Sequence, residues 1–156
     1  MKKGFFILLI AGSVLSSCIK STVQPCNDVT VTAPATEVAS LRAYVETLGV
    51  TTVEDPRGFF YTVTVAGSGN KPSACSGVTV NYTGKLTSGV IFDSGNGVSF
   101  NLQQLIIGWQ EGIPLIAPGG SITLYLPPSL AYGAAGSGPI PANANLIFTI
   151  DLTAVF

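Results

Sequence analysis

Four stretches of the chain alternate apolar and polar residues with a period of two, and that period limits what the chain can fold into more than any other feature. Tyr61, Val63 and Val65 alternate with Phe60, Thr62 and Thr64, and Val78, Val80 and Tyr82 with Thr79, Asn81 and Thr83. Ile122, Leu124 and Leu126 alternate with Thr123 and Tyr125, and Leu146, Phe148, Ile150 and Leu152 with Ile147, Thr149, Asp151 and Thr153. Successive side chains of a strand point to opposite faces, so each stretch reads as a half-buried strand of an antiparallel sheet. Turn-rich segments such as "AGSGNKPSACSG" punctuate the strands. Two helical stripes join them. In "TEVASLRAYVETLGV", Val38, Leu41, Val45 and Leu48 share a face, with Thr36 able to cap the start and Gly49 to stop the end. In "QQLIIGWQEGIPLI", Leu105, Ile106 and Trp109 share a face, while Gly108, Gly112 and Pro114 hold any helix to a turn or two. The expected class is α+β with a mainly antiparallel sheet.

The first residues stand apart from this pattern. "MKKGFFILLIAGSVLSSC" has a basic start, an apolar run from Phe5 to Ala11 and small residues before Cys18, the composition of a secretory signal. The apolar run falls short of the roughly 20 residues that a membrane span needs. Leu15-Ser16-Ser17-Cys18 resembles the bacterial lipobox, which implies acylation of Cys18 and anchoring to a lipid bilayer. With Cys18 assigned to lipid, Cys26 and Cys75 remain as an even pair in an oxidising compartment, able to form a disulfide or to stay as two thiols. The expected organisation is a lipoprotein signal peptide over 1–17, a tether over 18–36 rich in Ser, Thr, Val and Pro, the N-terminal helix and a linker over 37–58, and one folded domain over 59–156.

Composition excludes several kinds of chemistry. The chain has no histidine, which removes Ser-His and Cys-His catalysis and most zinc sites. Cys26 and Cys75 form no CxxC, and the acids are scattered too widely for a calcium loop or a carboxylate-pair hydrolase, so neither a metal nor a cofactor is expected. Beyond the signal, five basic residues (Lys20, Arg42, Arg57, Lys71, Lys85) stand against eight acidic ones, a net charge of −3 with no basic stripe for nucleic acid. Gly67-Ser68-Gly69 and the glycines from Gly133 to Gly138 fit neither phosphate-binding loop and read as turns. What remains is a concentration of large apolar residues, with Tyr132 in a glycine-rich loop and Trp109 after a glycine, where loops place pockets.

"VNYTGKL", "GVIFDS", "IIGWQEGI", "LYLPPSLAYG" and "IPANANLIFTIDL" occur in the order and spacing of FK506-binding-protein-type peptidyl-prolyl isomerases, and the chain resembles that family from Phe59 to Phe156. The resemblance implies a bent, mainly antiparallel sheet wrapped around a short helix, preceded here by the amphipathic N-terminal helix. It implies a proline pocket lined by Tyr82, Phe92, Asp93, Leu105, Ile106, Trp109, Tyr132, Ile140 and Phe148, with Trp109 as floor. Tyr132 falls on the hydroxyl that donates to a substrate carbonyl and the Ile106 amide on a second contact. Asp93 sits beside the reacting imide, held by a hydroxyl such as that of Tyr82. The implied partners are X-Pro segments of unfolded or flexible exported proteins, together with FK506-like macrolides.

Val98 falls where the family usually has a pocket-wall phenylalanine, and the loop from Val98 to Leu105 is about two residues shorter, which leaves the wall open. No large insertion precedes Pro139, where chaperone-like bacterial members carry a flap. The expected function is therefore a lipid-anchored isomerase in the bacterial envelope, at the outer membrane and facing the periplasm, because Ile19-Lys20 lacks the acidic residue of inner-membrane retention. The other reading is a binding module that holds proline peptides in the same pocket with little turnover.

Overall fold

A computed structural model describes residues 30–156. Six antiparallel strands form one sheet: β1 (Val53–Glu54), β2 (Phe60–Val65), β3 (Gly77–Leu86), β4 (Ile91–Asn101), β5 (Gly120–Leu126) and β6 (Leu146–Val155), in the order β1-β2-β5-β6-β3-β4. The alternating residues of β3, β5 and β6 behave as their period requires, whereas in β2 Phe60 is buried and Val63 and Val65 are exposed, because the end of that strand runs past its cover. Val78, Val80, Ile122, Leu124, Leu126, Leu146, Phe148, Ile150 and Leu152 are all buried in one core.

The helix α2 (Ile107–Gly112) closes that core. A Cβ on Gly108 would lie 2.5 Å from the Leu126 side chain, and one on Gly112 would lie 2.6 Å from Leu124. Two glycines one helical turn apart thus give α2 a bare face on which it can lie flat against β5.

The helix α1 (Ala35–Thr47) covers the opposite face of the sheet. It starts at Ala35, with Pro34 at the N-cap and no side chain capping it, rather than at a Thr36 cap. Leu41 and Val45 are buried against Phe60 and Tyr125, whereas Leu48 lies at the C-terminal end and is 38% exposed. A helix of this length is marginal alone, so burial at about 1.5–3 kcal/mol per large side chain is what holds it.

The described end of the expected tether is packed rather than loose. The Val31 N–H donates to Glu111 Oε1 at 3.0 Å, and the Ala33 N–H donates to the Arg57 carbonyl at 2.8 Å. Burial pushes the Glu111 carboxyl up, against the opposing pull of the Val31 N–H and the Arg57 charge. Arg57 also makes a bidentate pair with Asp55, at 2.7 and 2.9 Å, whose hydrogen bonds outweigh burial and hold the Asp55 carboxyl below its usual range. Cys75 is disulfide-bonded. It is the one cysteine among the described residues, and Cys18 and Cys26 lie outside them.

The strand β4 pairs with β3 along most of its length and runs on to Asn101, into the segment from Val98 to Leu105 expected to be loop. Two irregularities conceal its period. Val80 faces Val98 and Tyr82 faces Gly95, so Asn96 and Gly97 together oppose Asn81, and a second slip falls at Phe92 between Gly84/Asp93 and Lys85/Ile91. Gly97 adopts φ 64°, and its N–H donates to Asn81 Oδ1 at 2.8 Å.

Opposite Asp93, Gly84 leaves room for two rings. A Cβ there would lie 2.6 Å from Phe92 and 2.8 Å from Phe148, which pack edge-on with centroids 5.5 Å apart. Gly84→Ala is therefore expected to destabilise the domain by about 1–3 kcal/mol, because overpacking against two rings exceeds the ~0.5–1 kcal/mol that alanine gains in a strand. Denaturant unfolding checks this, and an unchanged midpoint would contradict the packing described.

Candidate active site

The aromatic floor is set by α2. Trp109, 4% exposed, meets three rings at near right angles: Tyr82 at 5.2 Å and 82°, Phe148 at 5.3 Å and 88°, and Phe100 at 5.9 Å and 89°. Edge-on aromatic pairs add about 0.5–1.5 kcal/mol each beyond area burial, so the indole is fixed from three sides. Above it opens a cavity of about 180 Å³, lined by Tyr82, Asp93, Phe100, Leu105, Ile106, Trp109, Tyr132 and Phe148. That is smaller than the ~300–1,000 Å³ of a typical drug-sized site and suits one small apolar ring.

Strand pairing aims the polar groups. Tyr82 faces Gly95 and Asp93 faces Gly84, so Tyr82 and Asp93 are diagonal neighbours on one face of β3 and β4. A Cβ on Gly95 would lie 2.6 Å from the Tyr82 ring, so the two glycines clear the diagonal. The Tyr82 hydroxyl crosses it and donates to Asp93 Oδ2 at 2.8 Å, while the Ser94 N–H donates to Asp93 Oδ1 at 2.9 Å. Both carboxylate oxygens are thus engaged, and the acid is held at the cavity edge.

Burial, then the bond to Asp93 and its charge, push the Tyr82 hydroxyl up to about 12. Burial and the Asp93 charge also raise Tyr132, which stands 37% exposed at the rim. Both phenols are therefore neutral donors at physiological pH. Ile106 is the N-cap residue of α2: its carbonyl accepts from the Trp109 and Gln110 N–H groups at 3.0 and 3.3 Å, and its own N–H lies at the helix start, where N–H groups have no intrahelical acceptors. The buried Trp109 Nε1 has no hydrogen-bond partner. The site therefore offers an apolar slot with donors at its rim and floor and one carboxylate at its edge. It has no nucleophile–base pair.

Seven of the residues singled out from sequence line this cavity: Tyr82, Asp93, Leu105, Ile106, Trp109, Tyr132 and Phe148. Two others do not line it: Phe92 supports Phe148 edge-on, and Ile140, 7% exposed, is part of the core. Val98 does not line the cavity. It lies over Gly95 beside Tyr82, and Phe100, two residues on and on the same face of β4, supplies the aromatic wall. The wall is closed by Phe100 rather than left open at Val98. A sequence signal for Phe100 existed, since it shares the alternation of Val98 and precedes the buried Leu102.

A larger depression of about 480 Å³ lies along the outer side of β3, lined by Asn81, Thr83, Ser94 and Asp151 among others. Its polar lining gives an apolar ring little to bury against.

Raised tyrosine pKa values have a sign that can be tested. A phenol whose folded pKa exceeds its unfolded value of 10 stabilises the fold fully below pH 10 and loses that contribution as pH rises towards 12. Absorbance titration at 295 nm of the five tyrosines should show a late component near pH 12 that Tyr82→Phe removes and Asp93→Asn moves to lower pH. Titration of every tyrosine near pH 10 would contradict the Tyr82–Asp93 bond.

The model of the FKBP-type peptidyl-prolyl cis-trans isomerase family matches residues 69–153. The chain is similar to the isomerase FkpA of Aeromonas hydrophila, 46% identical over 102 residues that cover 63% of this chain and 38% of that protein. The crystal structure of FkpA from Escherichia coli superposes with a TM-score of 0.70 at 38% identity, covering 78% of this chain and 60% of that one. A peptidyl-prolyl isomerase structure from Pseudomonas syringae gives 0.68 at 32% identity, covering 79% of this chain and 96% of that one. The chain spans less than half the length of the curated relatives it matches. It belongs to the FKBP-type peptidyl-prolyl cis-trans isomerase family.

Proposed function

We propose that the chain catalyses cis–trans isomerisation of X-Pro bonds in exposed, flexible segments of exported proteins. The single observation that carries this reading is the proline-sized cavity over Trp109, rimmed by neutral donors and lacking acid–base pairs. The reaction needs nothing more. A planar X-Pro amide resists rotation by about 18–20 kcal/mol because conjugation is lost on twisting. The twisted imide is less dipolar than the planar one, so a dry aromatic slot accepts it with less desolvation cost. Binding that favours the twisted form over the ground state is rate acceleration.

In this reading the prolyl ring lies on Trp109 between Phe148 and Phe100. Tyr132 donates to a carbonyl next to the bond, the Ile106 N–H supplies a second backbone contact, and Asp93, tied by Tyr82, faces the reacting imide. Phe92 supports Phe148 from behind, and FK506-like macrolides compete for the slot. Phe100 on the wall supports this reading over a binding module with little turnover.

The anchor and location are part of the same proposal. Acylation of Cys18 holds the chain in a lipid bilayer of the bacterial envelope, at the outer membrane facing the periplasm, and Cys75 pairs with Cys26. Among the described residues no helix is long and apolar enough to cross a membrane. Cys18→Ser is expected to abolish acyl labelling, and labelling that persists would contradict the anchor.

Isomerisation of a short X-Pro peptide by the purified chain tests the activity. Turnover inhibited by FK506 is expected. Tyr132→Phe should lower kcat/KM by roughly 2- to 10-fold, the loss of one neutral hydrogen bond, and Asp93→Ala should lower it by at least as much. A folded protein that binds FK506 without turning over the peptide would return the choice to a binding module.

A further inference from the structure

The loop that carries Tyr132 has an unusual backbone inventory. It leaves β5 through Pro127 and enters a 3-10 turn, Pro128–Leu130, three residues before Gly133. Two prolines supply no N–H, so the first donor of the turn is the Ser129 N–H, which the turn itself cannot satisfy. The following donors stay inside the loop: Leu130 to the Pro127 carbonyl at 3.2 Å, and Ala131 and Gly133 to the Pro128 carbonyl at 2.9 and 2.8 Å. The Ser129 N–H instead donates to Glu37 Oε2 at 2.9 Å, a partner 92 residues earlier in the chain. The Ser129 hydroxyl is buried without a hydrogen-bond partner, so it adds no tie of its own.

Glu37 lies in the first turn of α1, where a carboxylate ordinarily serves its own helix N-terminus. Here it reaches across to the loop. The same helix is fixed on the sheet through Leu41 and Val45, so the carboxylate is held on a rigid support. The contact links a helix outside the catalytic sheet to the turn that sets the Tyr132 hydroxyl at the cavity rim.

We propose that Glu37 is a positioning residue for isomerisation, and that α1 serves as a brace for the Tyr132 loop. This rests on Tyr132 being a substrate donor. A charge-assisted bond to a backbone N–H fixes where the turn begins, and the reach of the hydroxyl depends on that point. The carboxylate touches no substrate and acts through Tyr132.

A double-mutant cycle on the full mature chain, purified in detergent, tests this with the X-Pro peptide. Glu37→Ala is expected to lower kcat/KM about 3- to 10-fold, and Glu37→Gln, whose amide oxygen still accepts from Ser129, to stay within about 2-fold of the parent. In a Tyr132→Phe background, Glu37→Ala should cost less than about 2-fold further. Arg42→Ala, which breaks the α1 contact to Glu54 without touching the loop, should leave kcat/KM unchanged even where it lowers the melting temperature. Equal losses for Glu37→Ala in both backgrounds, or a matching loss in Arg42→Ala, would overturn the brace, as would full activity in Glu37→Ala. Full activity in Tyr132→Phe would instead overturn the role of Tyr132 on which the proposal rests.

Discussion

The site depends on how closely α2 lies against β5. Gly108 and Gly112 let the helix backbone approach Leu126 and Leu124, and that approach seats Trp109 among Tyr82, Phe100 and Phe148. A larger residue at either glycine would lift the helix, and the indole would leave its three rings. The cavity floor is thus a consequence of two missing side chains on the sheet-facing side of the helix. The same device recurs across the sheet, where Gly84 makes room for Phe92 and Phe148 and Gly95 for Tyr82. Large rings converge because glycines stand opposite them.

The electrostatics follow from this packing. Asp93 at the cavity edge has both oxygens engaged, by the Tyr82 hydroxyl and the Ser94 N–H, so its charge is fixed in direction. Its charge in turn helps keep the Tyr82 and Tyr132 hydroxyls protonated. A site of this kind has donors and a fixed dipole but no group poised to exchange a proton with substrate. That inventory fits a bond rotation, whose barrier is conjugation rather than bond breaking.

Much of this was legible in the sequence because it is written in period. The alternation from Ile122 to Leu126 and from Leu146 to Leu152 announced the core strands, and Gly108 and Gly112 announced a helix of a turn or two, although Leu105 and Ile106, expected on its face, precede it. The strand β4 was hidden because its two slips, at Asn96-Gly97 and at Phe92, break the alternation on which a strand is recognised. The assignment of the wall to Val98 instead of Phe100 is the same blindness, since a bulge shifts which residue a given count reaches. The packing of Val31 and Ala33 was also hidden, because it depends on Glu111 and Arg57, far away in the chain. Polar ties across such separations leave no local pattern.

The central claim is that the cavity over Trp109 lowers the rotation barrier of an X-Pro bond while it holds the ring. Exchange NMR on a proline peptide with a catalytic amount of the chain reads both at once, because the single indole N–H belongs to Trp109. The account predicts cis–trans exchange cross-peaks that appear with the protein and vanish with FK506, together with a shift of the indole resonance on peptide addition. An indole shift without faster exchange, or exchange with no change at the indole, would contradict it.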